Sequence, residues 1–242
     1  ARIVNSATYR QSSDVERAAY SADPANVRLA RGARMRLEAE LLRDNALAAA
    51  ELLVRTLGGP PVMPPQPPGV WKSAYSADNW LDASGEARFR RGIYTFWKRT
   101  APYLSFALFD APSREVACTR RESTSTPLQS LALLNDRVFV EASLGLARSV
   151  LAGGGDDAAR AERMFRRCTS RRPSAGELAT LLELLRGSRA EFEQRPEAAQ
   201  QRVNAAAEQL PPSDGAVDAG EVASWMSVAA VCLALDDTLT RR

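Results

Sequence analysis

The stretch from Gly58 to Trp71 constrains the fold more than any other part of this sequence. It reads GGPPVMPPQPPGVW and contains six prolines, none of which can donate the backbone hydrogen bond that a helix interior or a central strand requires. A flexible linker would be rich in glycine and serine, whereas this segment is stiff and carries Val62, Met63 and Val70. We therefore expect an extended, polyproline-like strap packed against the rest of the molecule. A Pro-x-x-Pro ligand for another domain is the alternative.

Helix signals lie on both sides of this strap. They are apolar residues at three- and four-residue steps, N-cap residues, prolines in first turns and glycines after last turns. Thr126-Pro127 combines an N-cap with a first-turn proline, and Ser174 with Glu177 has the spacing of a capping box. The sequence thus predicts the end of a helix at 3–9, a start at Asp23-Pro24, and helices over 34–57, 89–99, 126–135, 137–151, 156–168, from 174 past 185, and 222–239.

One of these ranges is ambiguous, since Ile93, Thr95 and Trp97 also alternate as in a strand. Helix still dominates, and the sequence predicts an all-α fold, an irregular helical bundle with a proline-rich extended strap. We expect a single domain over 1–242 that is a fragment of a larger protein. Its parts are N-terminal helices (1–57), the strap and a loop (58–87), a motif-bearing helical core (88–151) and C-terminal helices (156–242).

Composition narrows the chemistry. The chain has no histidine, which removes the usual acid-base group at neutral pH and the commonest imidazole metal ligand. Cys118, Cys168 and Cys232 form no Cys-x-x-Cys pair, so we expect three buried thiols, with one disulfide as the alternative, and no metal or haem attachment in this chain. Lys plus Arg is 32 against 29 for Asp plus Glu, too small a surplus to indicate nucleic-acid binding. No apolar run approaches the roughly 20 residues of a membrane-spanning helix.

The densest run of charged side chains lies directly before the predicted helix at Thr126. Phe106, Phe109, Val116 and Cys118 alternate with these charges and should hold the run against the body. A partly buried arginine needs a partner, so we expect Arg120 or Arg121 to meet Asp110, Glu115 or Glu40. Two interpretations stay open: an internal salt-bridge network that fixes the loop, and an anion or sugar site built on the arginines.

Two helices carry further polar candidates. On the first long helix, Arg36, Glu40, Arg43 and Asp44 lie three or four residues apart, which predicts a ladder of ion pairs on a solvated face or along a cleft. On the helix after Thr126, the apolar face is predicted to contain Leu128, Leu131 and Ala132, with Asn135 near its middle. A buried asparagine needs partners, so Asn135 either closes the helix or ties a neighbouring loop to it. Gln129 and Asp136 are expected at the edge of that face, where they can hydrogen-bond the charged loop.

Long motifs carry a family resemblance. The sequences RRGIYTFWKRT, FDAPSREVACTRR and TSTPLQSLALLND, together with the strap, resemble the C-terminal domain of unknown function (DUF1553, PSD family) of large planctomycete surface proteins with cytochrome-c-like modules. The segments NSATYRQSS, RLEAELLRDNALA and ASWMSVAAVCLALDDTLTRR fit the same domain. The chain departs from the family pattern at Ser125, where asparagine is usual, and at Arg137, where proline is usual. Without that proline, the kink between the two helices is less firmly enforced.

The resemblance implies an extracytoplasmic address and a parent protein with an export signal, a haem-bearing segment and a further domain upstream. It supplies no reaction and no catalytic residues. Because the motifs mix arginines with Trp71, Trp80, Tyr94 and Trp97, a glycan or another anionic or polyhydroxyl polymer is the expected ligand.

We therefore predict a non-catalytic binding module of an exported, surface-associated bacterial protein, without a cofactor in this chain. The alternatives are a hydrolase using carboxylates such as Asp110 and Glu115, and a docking domain for a haem-bearing neighbour. The candidate binding residues are Asp110, Arg114, Glu115, Arg120, Arg121, Gln129, Asn135, Asp136, Glu40 and Trp97.

Overall fold

A computed structural model describes residues 2–69, 71, 79–208, 210 and 217–241. The all-α class is confirmed, since helices dominate these residues. The α-helices are α1 (Arg17–Ala22), α2 (Ala39–Ala49), α3 (Leu104–Leu108), α4 (Pro127–Asn135), α5 (Arg137–Ala152), α6 (Asp157–Thr169), α7 (Ala175–Gln194), α8 (Pro196–Ala207), α9 (Ala219–Ala234) and α10 (Asp236–Leu239). Two 3-10 turns (Gly85–Phe89 and Gly92–Tyr94) follow the strap, and two-residue strands β1 (Met35–Arg36) and β2 (Thr240–Arg241) pair antiparallel.

Helix α9 is the central element of the bundle. It packs against α5, α7 and α8, and Trp225, Met226 and Cys232 in it are completely buried. A helix that is apolar on nearly all sides belongs in a core. Within the described residues, no helix is both long and apolar enough to cross a membrane.

Side-chain caps start the main helices where the sequence predicts them. Thr126 with Gln129 and Ser174 with Glu177 form reciprocal capping boxes at the starts of α4 and α7. Asp136 accepts a hydrogen bond from the Val138 N–H at the start of α5. Helix α8 was not predicted, although Pro196 stands in its first turn.

The strap, residues 58–71, lies extended against the body, as expected. The N–H of Val62 donates to the carbonyl of Tyr94 at 2.8 Å, and the N–H of Phe96 donates to the carbonyl of Val62 at 2.7 Å. The indole N–H of Trp80 donates to the carbonyl of Pro64 at 2.9 Å. Side chains and backbone partners thus replace the regular ladder that prolines exclude. Val70 lies outside the described residues.

The N-terminal helix predictions are wrong. Residues 3–9 form turns, and α1 ends at Ala22, directly before the predicted start at Asp23. No helix begins there, because the Asp23 carboxylate accepts from the N–H groups of Val27 and Arg28 in a turn. The predicted helix over 34–57 is reduced to α2. It ends because Glu51 has a left-handed backbone (φ 61°) and the Leu52 N–H bonds back to the carbonyl of Leu47.

The predicted helix over 89–99 is also wrong, because pairing with the strap overrides the local periodicity. The chain forms the two 3-10 turns here, and two isolated β-bridges pair Arg90 with Val54 and Thr95 with Val62. Ile93 is left 78% exposed. The strand alternative was closer, although only isolated bridges form there. The last predicted helix breaks at Leu235, whose extended backbone separates α9 from α10.

A buried ion pair joins the segment after the strap to the bundle. The guanidinium of Arg88 contacts the carboxylate of Glu141 in α5, and the two residues are 2% and 3% exposed. Beside them, buried Arg43 of α2 donates to the carbonyls of Arg88 and Arg90. Burial raises the pKa of Glu141, with the neighbouring Arg88 acting in the opposite direction. Three distant segments therefore depend on one set of charges.

We expect Glu141→Gln to destabilise the protein by about 3–5 kcal/mol, because it leaves the buried guanidinium of Arg88 without its counter-charge. Glu191→Gln is the control, since its ion pair with Arg195 is exposed and should contribute less than about 0.5 kcal/mol. Urea unfolding of both variants measures the difference. A loss below about 1 kcal/mol for Glu141→Gln would contradict a structural role for this pair.

The capping box of α7 predicts a pH effect. Hydrogen bonds from Arg171 lower the pKa of Glu177 from its usual 4.5 to about 2. Its contribution to stability should be complete above pH 4.5 and disappear as the pH falls through about 2. Carbon-13 NMR titration should find the midpoint near 2, and Arg171→Gln should move it towards 4.5. A midpoint near 4.5 in the unaltered protein would refute the assignment.

Candidate functional site

A cleft of about 530 Å³ lies between residues 34–39 and residues 118–123. Its volume suits a small ligand or a short stretch of polymer. We call it the arginine cleft, because four arginines line it together with three carboxylates and several small polar side chains. The charged and polar lining residues are Arg34, Arg36, Arg120, Arg121, Glu38, Asp110, Glu122, Cys118, Thr119 and Ser123.

Asp110 organises the wall of the arginine cleft. Its carboxylate contacts the guanidinium of Arg36 and accepts hydrogen bonds from the backbone N–H of Thr124 at 2.9 Å and the Thr124 hydroxyl at 2.8 Å. Partial burial raises the pKa of Asp110, but hydrogen bonds from Thr124 and Arg36 outweigh this effect and hold the pKa below its usual range. The carboxylate is therefore ionised at neutral pH, and both of its oxygens have hydrogen-bond partners.

Gln129 fixes the position of this carboxylate from the first turn of α4. Its side-chain N–H groups donate to the carbonyl of Leu108 at 2.8 Å, the hydroxyl of Thr124 at 3.1 Å and Asp110 at 3.3 Å. Its side-chain oxygen accepts from Arg36 at 3.0 Å. The expected contact between this amide and a guanidinium is present, but the arginine comes from β1 and not from the neighbouring charged loop.

Arg121 pairs with Glu40, which confirms one of the expected contacts. The two guanidinium nitrogens lie 2.7 and 3.1 Å from the two carboxylate oxygens, and Glu38 lies 3.2 Å from the same guanidinium. Burial raises the pKa of Glu40, but the hydrogen bond from Arg121 outweighs it and the pKa is lowered. This bidentate pair fastens the charged loop to α2.

The predicted ion-pair ladder on the first long helix does not exist. Arg36 precedes α2 and therefore lies off the helix, and Glu40 reaches Arg121. Arg43 reaches backbone carbonyls, while the Asp44 carboxylate accepts from the N–H of Gly92 at 2.6 Å. All four side chains therefore make tertiary contacts with other segments and do not form a solvated helix face.

The rest of the charged loop is more exposed than expected. Arg114 and Glu115 face solvent, and Arg114 lies 4.5 Å above the ring of Trp97, which is partly buried. Val116 is 76% exposed and Cys118 is exposed, so neither holds the loop against the body. The expectation of three buried thiols is therefore wrong for Cys118. The other two cysteines are buried and free.

Arg120 occupies the rim of the arginine cleft. Its side chain is exposed and pairs with no carboxylate of the described residues. Arg121 and Arg34, by contrast, each have an acidic partner. Arg120 is thus the arginine of the lining whose donors are available to a ligand.

Of the ten candidate residues, three line the arginine cleft, namely Asp110, Arg120 and Arg121, and Gln129 and Glu40 contact lining residues. The other five lie apart from it. Asn135 is the last residue of α4, which is one of its two expected roles, but it is exposed and not buried, and its side chain donates to the carbonyl of Leu131. Asp136 caps α5, and burial raises its pKa. The predicted apolar face of α4 is also wrong at Leu128 and Leu131, which are 54% and 55% exposed. The helix buries Gln129, Ala132 and Leu133.

Sequence reasoning missed Arg36 and Thr124 as parts of this network. Arg36 was assigned to a helix, and its contacts lie 74 to 93 positions away along the chain. Thr124 precedes a recognised N-cap, but no local pattern distinguishes a threonine that binds a carboxylate from one in a loop. Only the fold brings these side chains together.

A substitution tests the donor role of Gln129. Glutamate is an ordinary residue at this capping-box position, yet it has no N–H to give to Leu108, Thr124 or Asp110. We expect Gln129→Glu to cost about 2–4 kcal/mol at pH 7, with a smaller loss at pH 4 as the introduced carboxyl group protonates. Ser130→Glu at the neighbouring exposed position should change stability by less than about 0.5 kcal/mol. Equal effects of the two variants in urea unfolding would exclude this role.

Comparison with known proteins identifies the family. The family model PSD1, described as a protein of unknown function (DUF1553), matches residues 1–185, about three quarters of the chain. The match includes the strap, the arginine cleft and the helices up to the first half of α7, while the resemblance noted for the closing segment lies beyond it. No curated protein and no solved structure matches the chain. The chain belongs to the PSD1 family of proteins of unknown function.

Proposed function

We propose that this protein is a non-catalytic binding module that takes an anionic, polyhydroxyl polymer such as an acidic or sulfated glycan into the arginine cleft. The observation that carries the proposal is the lining of that cleft, four arginines with three carboxylates, threonine and serine. Guanidinium groups bind carboxylate or sulfate in bidentate fashion, and the acidic and hydroxyl groups can accept from sugar hydroxyls.

The arginines of the cleft have two different roles, and this difference supports the proposal. Asp110 holds Arg36 and Glu40 holds Arg121, so these pairs keep the walls in place before a ligand arrives. Arg120 on the rim is left to meet the ligand charge. Preformed walls reduce the ordering cost of binding, which favours a cleft of this kind over a flexible basic loop.

The state of Asp110 favours binding over the hydrolase alternative. A carboxyl group that donates a proton at neutral pH needs a raised pKa. The pKa of Asp110 is lowered, and its oxygens are occupied by Arg36, Thr124 and Gln129. Glu115, the second candidate acid, faces solvent outside the lining.

The cellular setting is part of the proposal. We propose that the module belongs to an exported, surface-associated bacterial protein whose upstream domains carry haem, since the family resemblance of the motifs at 90–136 implies that setting. A surface polymer is then the ligand that the module would meet. Docking of the haem-bearing neighbour remains the other predicted role.

Binding to arrays of native and sulfated polysaccharides tests the proposal. We expect acidic or sulfated polymers to bind, and Arg120→Ala to weaken binding roughly tenfold, because it removes one charge-assisted contact. Arg186→Ala is the matched control, since Arg186 is an exposed arginine on α7 away from the cleft. No bound polymer, or equal losses in both variants, would refute the assignment to this cleft.

A further inference from the structure

A second depression, of about 370 Å³, lies along the outer face of α2, and we call it the α2 groove. The apolar part of its lining is formed by Leu41, Ala48 and Leu53, and the exposed side chains of Arg55 and Arg91 supply guanidinium groups. Leu41 and Ala48 are two helical turns apart, so the apolar lining extends about 10 Å along α2. Apolar walls with a few charged groups are typical of a ligand site.

The α2 groove and the arginine cleft meet at Leu37, which lines both of them. This residue connects β1, whose Arg36 lines the arginine cleft, to the start of α2. A short ligand fits within the arginine cleft alone, whereas a polymer has to continue beyond it. A chain that leaves the cleft past Leu37 enters the α2 groove directly.

A third depression, of about 420 Å³ beside the end of α6, also reaches Leu37 and is the alternative path for such a chain. Its arginine, Arg171, donates to Asp237 at 2.7 Å and to Glu177 at 2.6 Å, so its charge is already compensated. In the α2 groove, Arg55 has no carboxylate partner among the described residues. An anionic chain is therefore attracted towards the α2 groove.

The remaining charges of the α2 groove also favour an anion. Arg91 lies 3.7 Å from the carboxylate of Asp44, and its side chain is 46% exposed, so it can turn towards a ligand. The same carboxylate accepts a hydrogen bond from the N–H of Gly92 at 2.6 Å, which keeps it in place when Arg91 moves. Two guanidinium groups thus stand against one carboxylate that has a backbone partner.

The leucines of the α2 groove suit a sugar chain as well. A pyranose ring presents C–H groups on its faces and hydroxyl or acidic groups at its edges. Leu41, which is 46% exposed, can cover a ring face while Arg55 binds an acidic group at the ring edge. A chain of small inorganic anions would leave these leucines in water.

We propose that the glycan chain continues from the arginine cleft past Leu37 into the α2 groove, so that the module binds an extended segment of several sugar units more tightly than a single charged sugar. This inference rests on the function proposed above, because it extends the same binding site. Affinity then depends on chain length, and the side chains of the α2 groove contribute only to the binding of long chains.

Isothermal titration of the full chain with a sulfated disaccharide and a sulfated hexasaccharide of the same sugar tests this path. We expect the hexasaccharide to bind at least tenfold more tightly. Arg55→Ala should weaken hexasaccharide binding roughly tenfold and leave disaccharide binding within twofold, because only the longer chain reaches Arg55. Arg120→Ala should weaken the binding of both. Arg186→Ala is the control, since it removes the same charge away from both grooves and should affect neither.

The outcomes separate this inference from the function on which it rests. If Arg55→Ala weakens the binding of both oligomers equally, or of neither, the extended path is wrong, although the arginine cleft can still be the site. If neither oligomer binds, or if Arg120→Ala has no effect, the proposed function fails and this inference fails with it. Should Arg55→Ala lower the unfolding temperature, Leu41→Glu decides, because it places a carboxylate in the α2 groove and should cause the same selective loss.

Discussion

The buried charges around Arg88 are the interaction on which the rest of the structure depends. Arg88 follows the strap, Glu141 lies in the helix that packs most closely with α9, and Arg43 lies in α2. A charge removed from water is tolerated only where its partners are fixed, so these residues hold their segments in a single arrangement. The strap has no regular backbone hydrogen-bond ladder, and its position is set by hydrogen bonds to the segment that follows Arg88.

In the arginine cleft, as around Arg88, ion pairs join segments that are distant along the chain, but here they lie near the surface. Asp110 and Glu40 each engage an arginine from a distant part of the chain, and Gln129 links the Asp110 pair to the start of α4. The charged loop before Thr126 therefore has two parts. One part fixes the walls, while Arg120 remains on the rim and available. The structural network is therefore present in one part of the loop, and the ligand site stays a proposal for Arg120.

Much of the fold was predictable wherever a local signal has a single structural meaning. Thr126 and Ser174 start helices because their hydroxyls can bond the backbone three residues on, and this requires nothing from the rest of the chain. The extended strap was predictable because proline excludes the alternatives. Glu51 is different: nothing local indicates its left-handed backbone, so the end of α2 was placed eight residues too far along.

The site was less predictable because its contacts are long-range. The pairing of Arg121 with Glu40 followed from the need to compensate a partly buried charge, whereas the contacts of Arg36 did not. The outward leucines of α4 were assigned to the core because apolar periodicity does not reveal which side of a helix faces the body. Gln129 occupies that inner side because its donors match the acceptors grouped around Asp110.

The pairing of β1 with β2 joins residues 35 and 36 to residues 240 and 241. One wall of the arginine cleft is thus secured by a segment that the ribosome adds about two hundred residues later. During synthesis the earlier helices can form as they emerge, but the backbone of that wall gains its strand partner only when residues 240 and 241 arrive. A chain truncated before residue 240 would lose this backbone pairing even though every lining residue is present.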